Sequence, residues 1–135
     1  MKKFKLEYLH IADGASIDQR GKLSIYGIFE KVNLRKIPGK LLKFVITGSV
    51  FFKKSVGENI NFKIKILDSE KKELRIKPIS IKVPINEKAS KKGGKIGFTV
   101  EIGNLEFKMP GKHQIVVYAN KEKVGIKEMI IERSL

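Results

Sequence analysis

The chain has 135 residues, no cysteine, and 29 Lys plus Arg against 14 Asp plus Glu, a formal charge of +15 at pH 7. That length suits one domain, residues 1–135, large enough to bury a core without covalent staples. The missing thiols exclude disulfides, thiolate zinc sites and cysteine nucleophiles, and are compatible with a reducing cytoplasm.

The opening "MKKFKLEYLHIADG" starts with two lysines, but Lys5, Glu7, His10 and Asp13 interrupt any signal-peptide apolar run. It reads as a first strand with Phe4, Leu6 and Tyr8 on one face, ended by a turn at Asp13-Gly14. In "DQRG", Asp18 can accept hydrogen bonds from the backbone two or three residues on, and Gly21 can take the positive φ that closes a hairpin. The return strand covers residues 22–29.

"LLKFVITGSVFF" places Leu42, Phe44, Ile46, Val50 and Phe52 on one face, and "NINFKIKIL" alternates Ile60, Phe62, Ile64 and Ile66 with Asn61, Lys63 and Lys65. In "KELRIKPISIKVPI", Leu74 and Ile76 give way to Ile79, Ile81 and Val83, so a bulge or bend is expected near Lys77 and Pro78. Pro78 and Pro84 lack the ladder N–H and push this strand to a sheet edge or a change of sheet. "KIGFTVEI" aligns Ile96, Phe98, Val100 and Ile102, and a short helical turn fits residues 103–106. Pro110-Gly111 is a turn before a hairpin of Ile115, Val117 and Ala119, a polar tip at residues 120–123, and a strand over residues 124–131.

About eight strands with short links and no sustained helical period predict an all-β fold. The expected form is a single-domain antiparallel β-sandwich of immunoglobulin or fibronectin III type. The longest uncharged runs are of strand length, so a soluble protein with no membrane span is expected.

Two links are lysine-rich and read as mobile loops: Lys53 and Lys54 before Gly57, and Lys88, Lys91, Lys92 and Lys95 around Gly93-Gly94. The second is the candidate anion contact. It lacks the Ser or Thr and the following helix of a phosphate-binding P-loop. Lys63, Lys65, Lys77 and Lys82 read as solvated strand positions that discourage edge-to-edge aggregation. The spacing of Asp13 and Asp18 is too sparse for a calcium loop. With His10 and His113 as the only histidines, a metal site would depend on carboxylates for its remaining ligands, and His113 reads as a ring packed on the core with a local hydrogen bond. No catalytic residue, metal or cofactor is expected.

The segments Ala12-Asp13, Asp18 to Ser24 and Gly27-Ile28-Phe29, with the later "FKMPGKHQIVVYANKEKVG", resemble a bacterial family of small β-sandwich proteins catalogued only as a domain of unknown function. In that family the hairpin reads Phe-x-x-Pro-Gly-x-Tyr, and His113 stands where a tyrosine is more usual. The resemblance implies the fold and transfers no catalytic residue. The functional expectation is a non-enzymatic binding or accessory module of the cytoplasm with a protein partner. The alternative is a sequence-independent polyanion or nucleic-acid binder using the loop lysines.

Overall fold

The computed structural model describes residues 2–53, 57–75 and 77–134. Lys54 and Ile76, singled out above, lie outside these residues. The strands are β1 (Phe4–Ile17), β2 (Leu23–Ile28), β3 (Lys31–Leu34), β4 (Gly39–Phe52), β5 (Asn59–Leu67), β6 (Ile79–Pro84), β7 (Gly94–Phe107), β8 (Gly111–Ala119) and β9 (Glu122–Arg133), with one helix, α1 (Glu87–Lys92), between β6 and β7.

They form a four-stranded sheet of order β2-β1-β4-β7 and a five-stranded sheet of order β3-β9-β8-β5-β6. With the β1–β2 hairpin counted as one element, β1-β4-β7 follows the A-B-E order of an immunoglobulin sheet, and β9-β8-β5-β6 follows G-F-C-C′. The short β3 pairs with β9 in parallel, while every other ladder is antiparallel. Helix α1 occupies the chain position of strand D, so β7 is left outermost in its sheet.

The core lies between the sheets. Phe44, Ile46 and Val50 of β4 and Ile11 of β1 face Ile60, Phe62 and Ile64 of β5 and Ile115 and Val117 of β8, all fully buried. Phe62 and Phe98, from opposite sheets, meet with ring centroids 4.7 Å apart. Burying each such large apolar side chain is worth about 1.5–3 kcal/mol, and that repeated gain is why the period-two residues end up here.

Several expectations are corrected. Among the described residues there are nine strands rather than about eight, because the four-residue β3 is too short to announce itself by alternation. Residues 103–106 are strand within β7, and the helix forms at Glu87–Lys92 instead. There Asn86 accepts a hydrogen bond from Ala89 N at 2.7 Å, and Gly93, at φ +84°, donates to Ala89 O at 2.7 Å. These caps turn the expected mobile loop into a defined helical turn. Leu74, Arg75 and Lys77 do not continue a strand with shifted phase. Among the described residues, an isolated bridge from Leu67 to Glu73 is the one strand-like pairing between β5 and β6, and β6 does lie at a sheet edge.

Two single-residue errors have local causes. The β1–β4 register shifts between Leu6 and Tyr8, so Glu7 bulges and Tyr8 moves off the Phe4 and Leu6 face to stack on His10 at 5.5 Å. On β4, Leu41 and not Leu42 turns inward: Leu42 is 76% exposed, while Leu41 pairs with the buried Leu105. The inward set changes parity on both strands around Asn104, whose φ is +52°.

Strand β1 runs on through Asp13-Gly14 to Ile17 rather than ending there. Ile17, Gly21 and Leu23 border the same depression as Tyr8, Ser49, Gly97 and Thr99. A straight strand would carry Ile17 roughly 30 Å beyond Tyr8 at about 3.3 Å per residue. The hairpin therefore folds back over the outer face of its own sheet, which is why Ala12, Val45, Thr47 and Ser49, on that face, are buried.

Candidate functional site

The outer face of the five-stranded sheet carries a groove of about 710 Å3 along β5, β6 and β8. Alternation puts it there: Ile60, Phe62, Ile64 and Ile66 point into the core, so Asn61, Lys63 and Lys65 point out. Pairing sets Lys63 opposite Ser80 and Tyr118, and Asn61 opposite Lys82. The β8–β9 turn adds Lys121 at one end.

Lys63, Lys65, Lys82 and Lys121 all line the groove, and no Asp or Glu is among its described lining residues. Among the described residues none of the four makes an ion pair, whereas Lys31, Lys43, Lys72, Lys91, Lys95 and Lys127 do. Lys65 Nζ stands 5.4 Å from the centre of the Tyr118 ring, a cation–π contact between two residues that line the groove. Unneutralised cations in a concavity focus positive potential on whatever enters it.

The four lysines chosen from sequence are placed differently. Lys88, Lys91 and Lys92 fall at i, i+3 and i+4 of α1 and share one side of it. Lys91 is paired with Glu87 at 3.5 Å. Lys95 leaves the group for β7, where it pairs with Glu7 at 3.3 Å. The hollow beside α1 is lined by Glu58 and Glu87 as well as Lys91, so its charge is mixed. Lys63, Lys65 and Lys82 were visible in the sequence as solvated strand positions and Lys121 as part of a polar hairpin tip, but their convergence depends on β8 lying between β5 and β9, a long-range pairing that local alternation does not encode.

The remaining candidates make local structural contacts. Asp18 accepts from Arg20 N at 2.8 Å and Lys22 N at 2.9 Å, and Gly21 has φ +81°. His113 is fully buried, its Nδ1 is 3.1 Å from Gly111 O, and its ring meets Phe107 edge-on at 5.4 Å. Nε2 of His113 and Nδ1 of His10 are buried without a hydrogen-bond partner among the described residues. Asp68 accepts from the Lys72 and Glu70 amides, which with the nearby His113 and Lys72 hold its carboxyl below the usual carboxylate range. Among the described residues, no three His, Asp, Glu or Cys side chains converge as metal ligands, and no helix is long and apolar enough to cross a membrane.

Strand order and outer-face chemistry together define an immunoglobulin-like β-sandwich with a basic groove on its five-stranded sheet. The chain belongs to DUF6941, a family of unknown function, whose model matches residues 7–132. No curated protein matches it. Among solved structures it is similar to a β-glucosidase from Listeria innocua in complex with glucose, at 12% identity and a TM-score of 0.51, covering 96% of this chain and 16% of that one. The alkylpurine DNA glycosylase AlkC of Pseudomonas fluorescens, bound to DNA containing an abasic site analog, matches at 13% identity and a TM-score of 0.49, covering 96% and 30%. An immunoglobulin-like protein from Pseudomonas aeruginosa matches at 10% identity and a TM-score of 0.43, covering 97% and 98%. The chain thus spans less than a third of the glucosidase and the glycosylase, and these likenesses concern the fold alone.

Proposed function

We propose that this chain is a non-enzymatic binding module of the cytoplasm whose groove holds an extended anionic polymer, single-stranded nucleic acid, without reading its sequence. The observation that carries this is the set of four lysines around Tyr118 that, among the described residues, make no ion pair and line a concavity without a described carboxylate. Lysine supplies a hydrated point charge on a flexible stem, suited to phosphate but lacking the planar fork with which arginine reads bases. Tyr118 supplies an aromatic surface, and a stacked base is tolerant of identity because every base has a π-face. Asn61 and Ser80 add polar groups along the same wall.

Fluorescence anisotropy with a labelled thymidine oligonucleotide and a mixed-sequence one of equal length tests this. Both should bind alike at low salt, and Tyr118→Ala should weaken both by roughly tenfold, the scale of one lost stacking contact. Failure to bind either oligonucleotide, or binding that ignores Tyr118→Ala, overturns the reading.

A further inference from the structure

Strand β7 is the outermost strand of its sheet, 14 residues long, bonded on one side to β4 alone among the described residues. Edge strands of this length invite pairing, and natural proteins blunt them with proline, brevity or inward charges. The other three edges are short: β6 has six residues, preceded by Pro78 and ending in Pro84, β3 has four and β2 has six. Strand β7 contains no proline and no inward-pointing charge.

Its sequence is also complementary to itself. When two copies pair antiparallel about a two-fold axis through Phe98, Ile96 lies opposite Val100, Gly97 opposite Thr99, and Lys95 opposite Glu101. Ile96 and Val100 are half-buried on the core side, so their contact across the seam would extend the apolar layer. Lys95 and Glu101 lie on the outer side, already paired within the chain to Glu7 and Lys43. Across the seam these pairs join end to end, giving an alternating row from Lys43 through Glu101 to the second copy's lysine and glutamate. An axis through Lys95 or Glu101 would instead oppose like charges.

We propose that a second copy of this chain docks along β7 about Phe98, making one continuous sheet of eight strands across the pair. The occupant is a second copy because the charge pattern is satisfied by this strand's own sequence. The seam lies on the sheet opposite the groove, so pairing leaves both grooves open.

Sedimentation velocity at physiological salt, from low micromolar to near-millimolar protein, should show a reversible monomer–dimer equilibrium. Lys95→Glu and Glu101→Lys each place like charges opposite one another twice, by symmetry, and each should weaken association by about tenfold. Mixing the two variants restores opposite charges at both contacts, so the mixture should regain the native affinity. Both sites are exposed, and circular dichroism checks that each variant is folded. A native chain that stays monomeric throughout, or a mixture that associates no better than either variant alone, overturns the proposal.

Discussion

Asp18 and Asp68 close their turns with the same four hydrogen bonds. Each backbone N–H donates to the carbonyl four residues on, at 3.0 and 2.8 Å, and each carbonyl accepts from the residue three on, at 3.0 and 2.9 Å. Each Oδ1 accepts from the amides two and four residues on, at 2.8 and 2.9 Å for Asp18 and 2.8 and 3.0 Å for Asp68. The left-handed position of the first turn is Gly21, at φ +81°, and the same position of the second is Lys71, at φ +66°.

That difference fixes opposite signs for two substitutions. Lys71→Gly relieves the left-handed cost of a side chain, about 1–2 kcal/mol, and gives back part of it as chain entropy, for a net gain of roughly 0.5–1 kcal/mol. Gly21→Ala meets no atom within 4 Å of the added carbon, so its loss, about 1 kcal/mol, is backbone strain alone. Asp18→Ala, which removes two acceptor contacts, should cost roughly 0.5–2 kcal/mol. Urea unfolding of the three variants checks the set. Equal effects at residues 21 and 71 would contradict the shared geometry.

The second aspartate also sets a pH dependence. Its carboxyl is held below the ordinary range chiefly by the Lys72 amide, against the opposing effect of burial, with help from the Glu70 amide. A carboxylate lowered in the folded state contributes its full stability above the unfolded value and loses it as pH falls through the folded one. Between about pH 5 and about pH 2 the native chain should therefore lose more melting temperature than Asp68→Asn, which cannot titrate. Parallel curves for the two would remove Asp68 from the account.

Gly14 and Tyr26 form another local dependency. They are cross-strand partners in the β1–β2 hairpin, and the tyrosine ring lies where a Cβ on residue 14 would fall. Gly14→Ala must displace the ring, and Tyr26→Ala uncovers the glycine backbone. A double-mutant cycle should return a coupling of roughly 0.5–1 kcal/mol, because the added methyl costs little once the ring is gone. Additive effects would show that the ring does not hold this position.

Alternation made most of the sandwich legible, since Phe62 or Ile64 on the wrong face would expose apolar surface that the fold is built to bury. Alternation does not report whatever changes phase or depends on distant pairing. The bulge at Glu7 moves Tyr8, and the parity change near Asn104 exchanges Leu41 for Leu42. The helix at Glu87–Lys92 is decided by its caps at Asn86 and Gly93 more than by composition. The family was recognisable from turn residues such as Asp18 and Gly21 because those positions are constrained by backbone geometry. The groove was not, because Lys63, Lys82 and Tyr118 come from three strands.

Two lysine sets therefore compete for any anion, and salt dependence separates them. Each phosphate contact on a single strand contributes about −0.7 to the slope of log K against log salt, so four groove lysines predict a slope of about −2.8. Changing Lys63, Lys82 and Lys121 together to Gln should reduce that slope by about 2.1, while Lys65, held against Tyr118, is left in place. The matching change of Lys88, Lys91 and Lys92 to Gln should leave both slope and affinity nearly unaltered, since Lys91 is already paired with Glu87 and the adjoining hollow carries Glu58. Anisotropy titrations of both triple variants with the same oligonucleotide, from low to physiological salt, decide between the sets. If the helix triple loses the slope and the groove triple keeps it, the anion contact belongs to α1, and the convergence of lysines on β5 and β6 serves only to keep that face solvated.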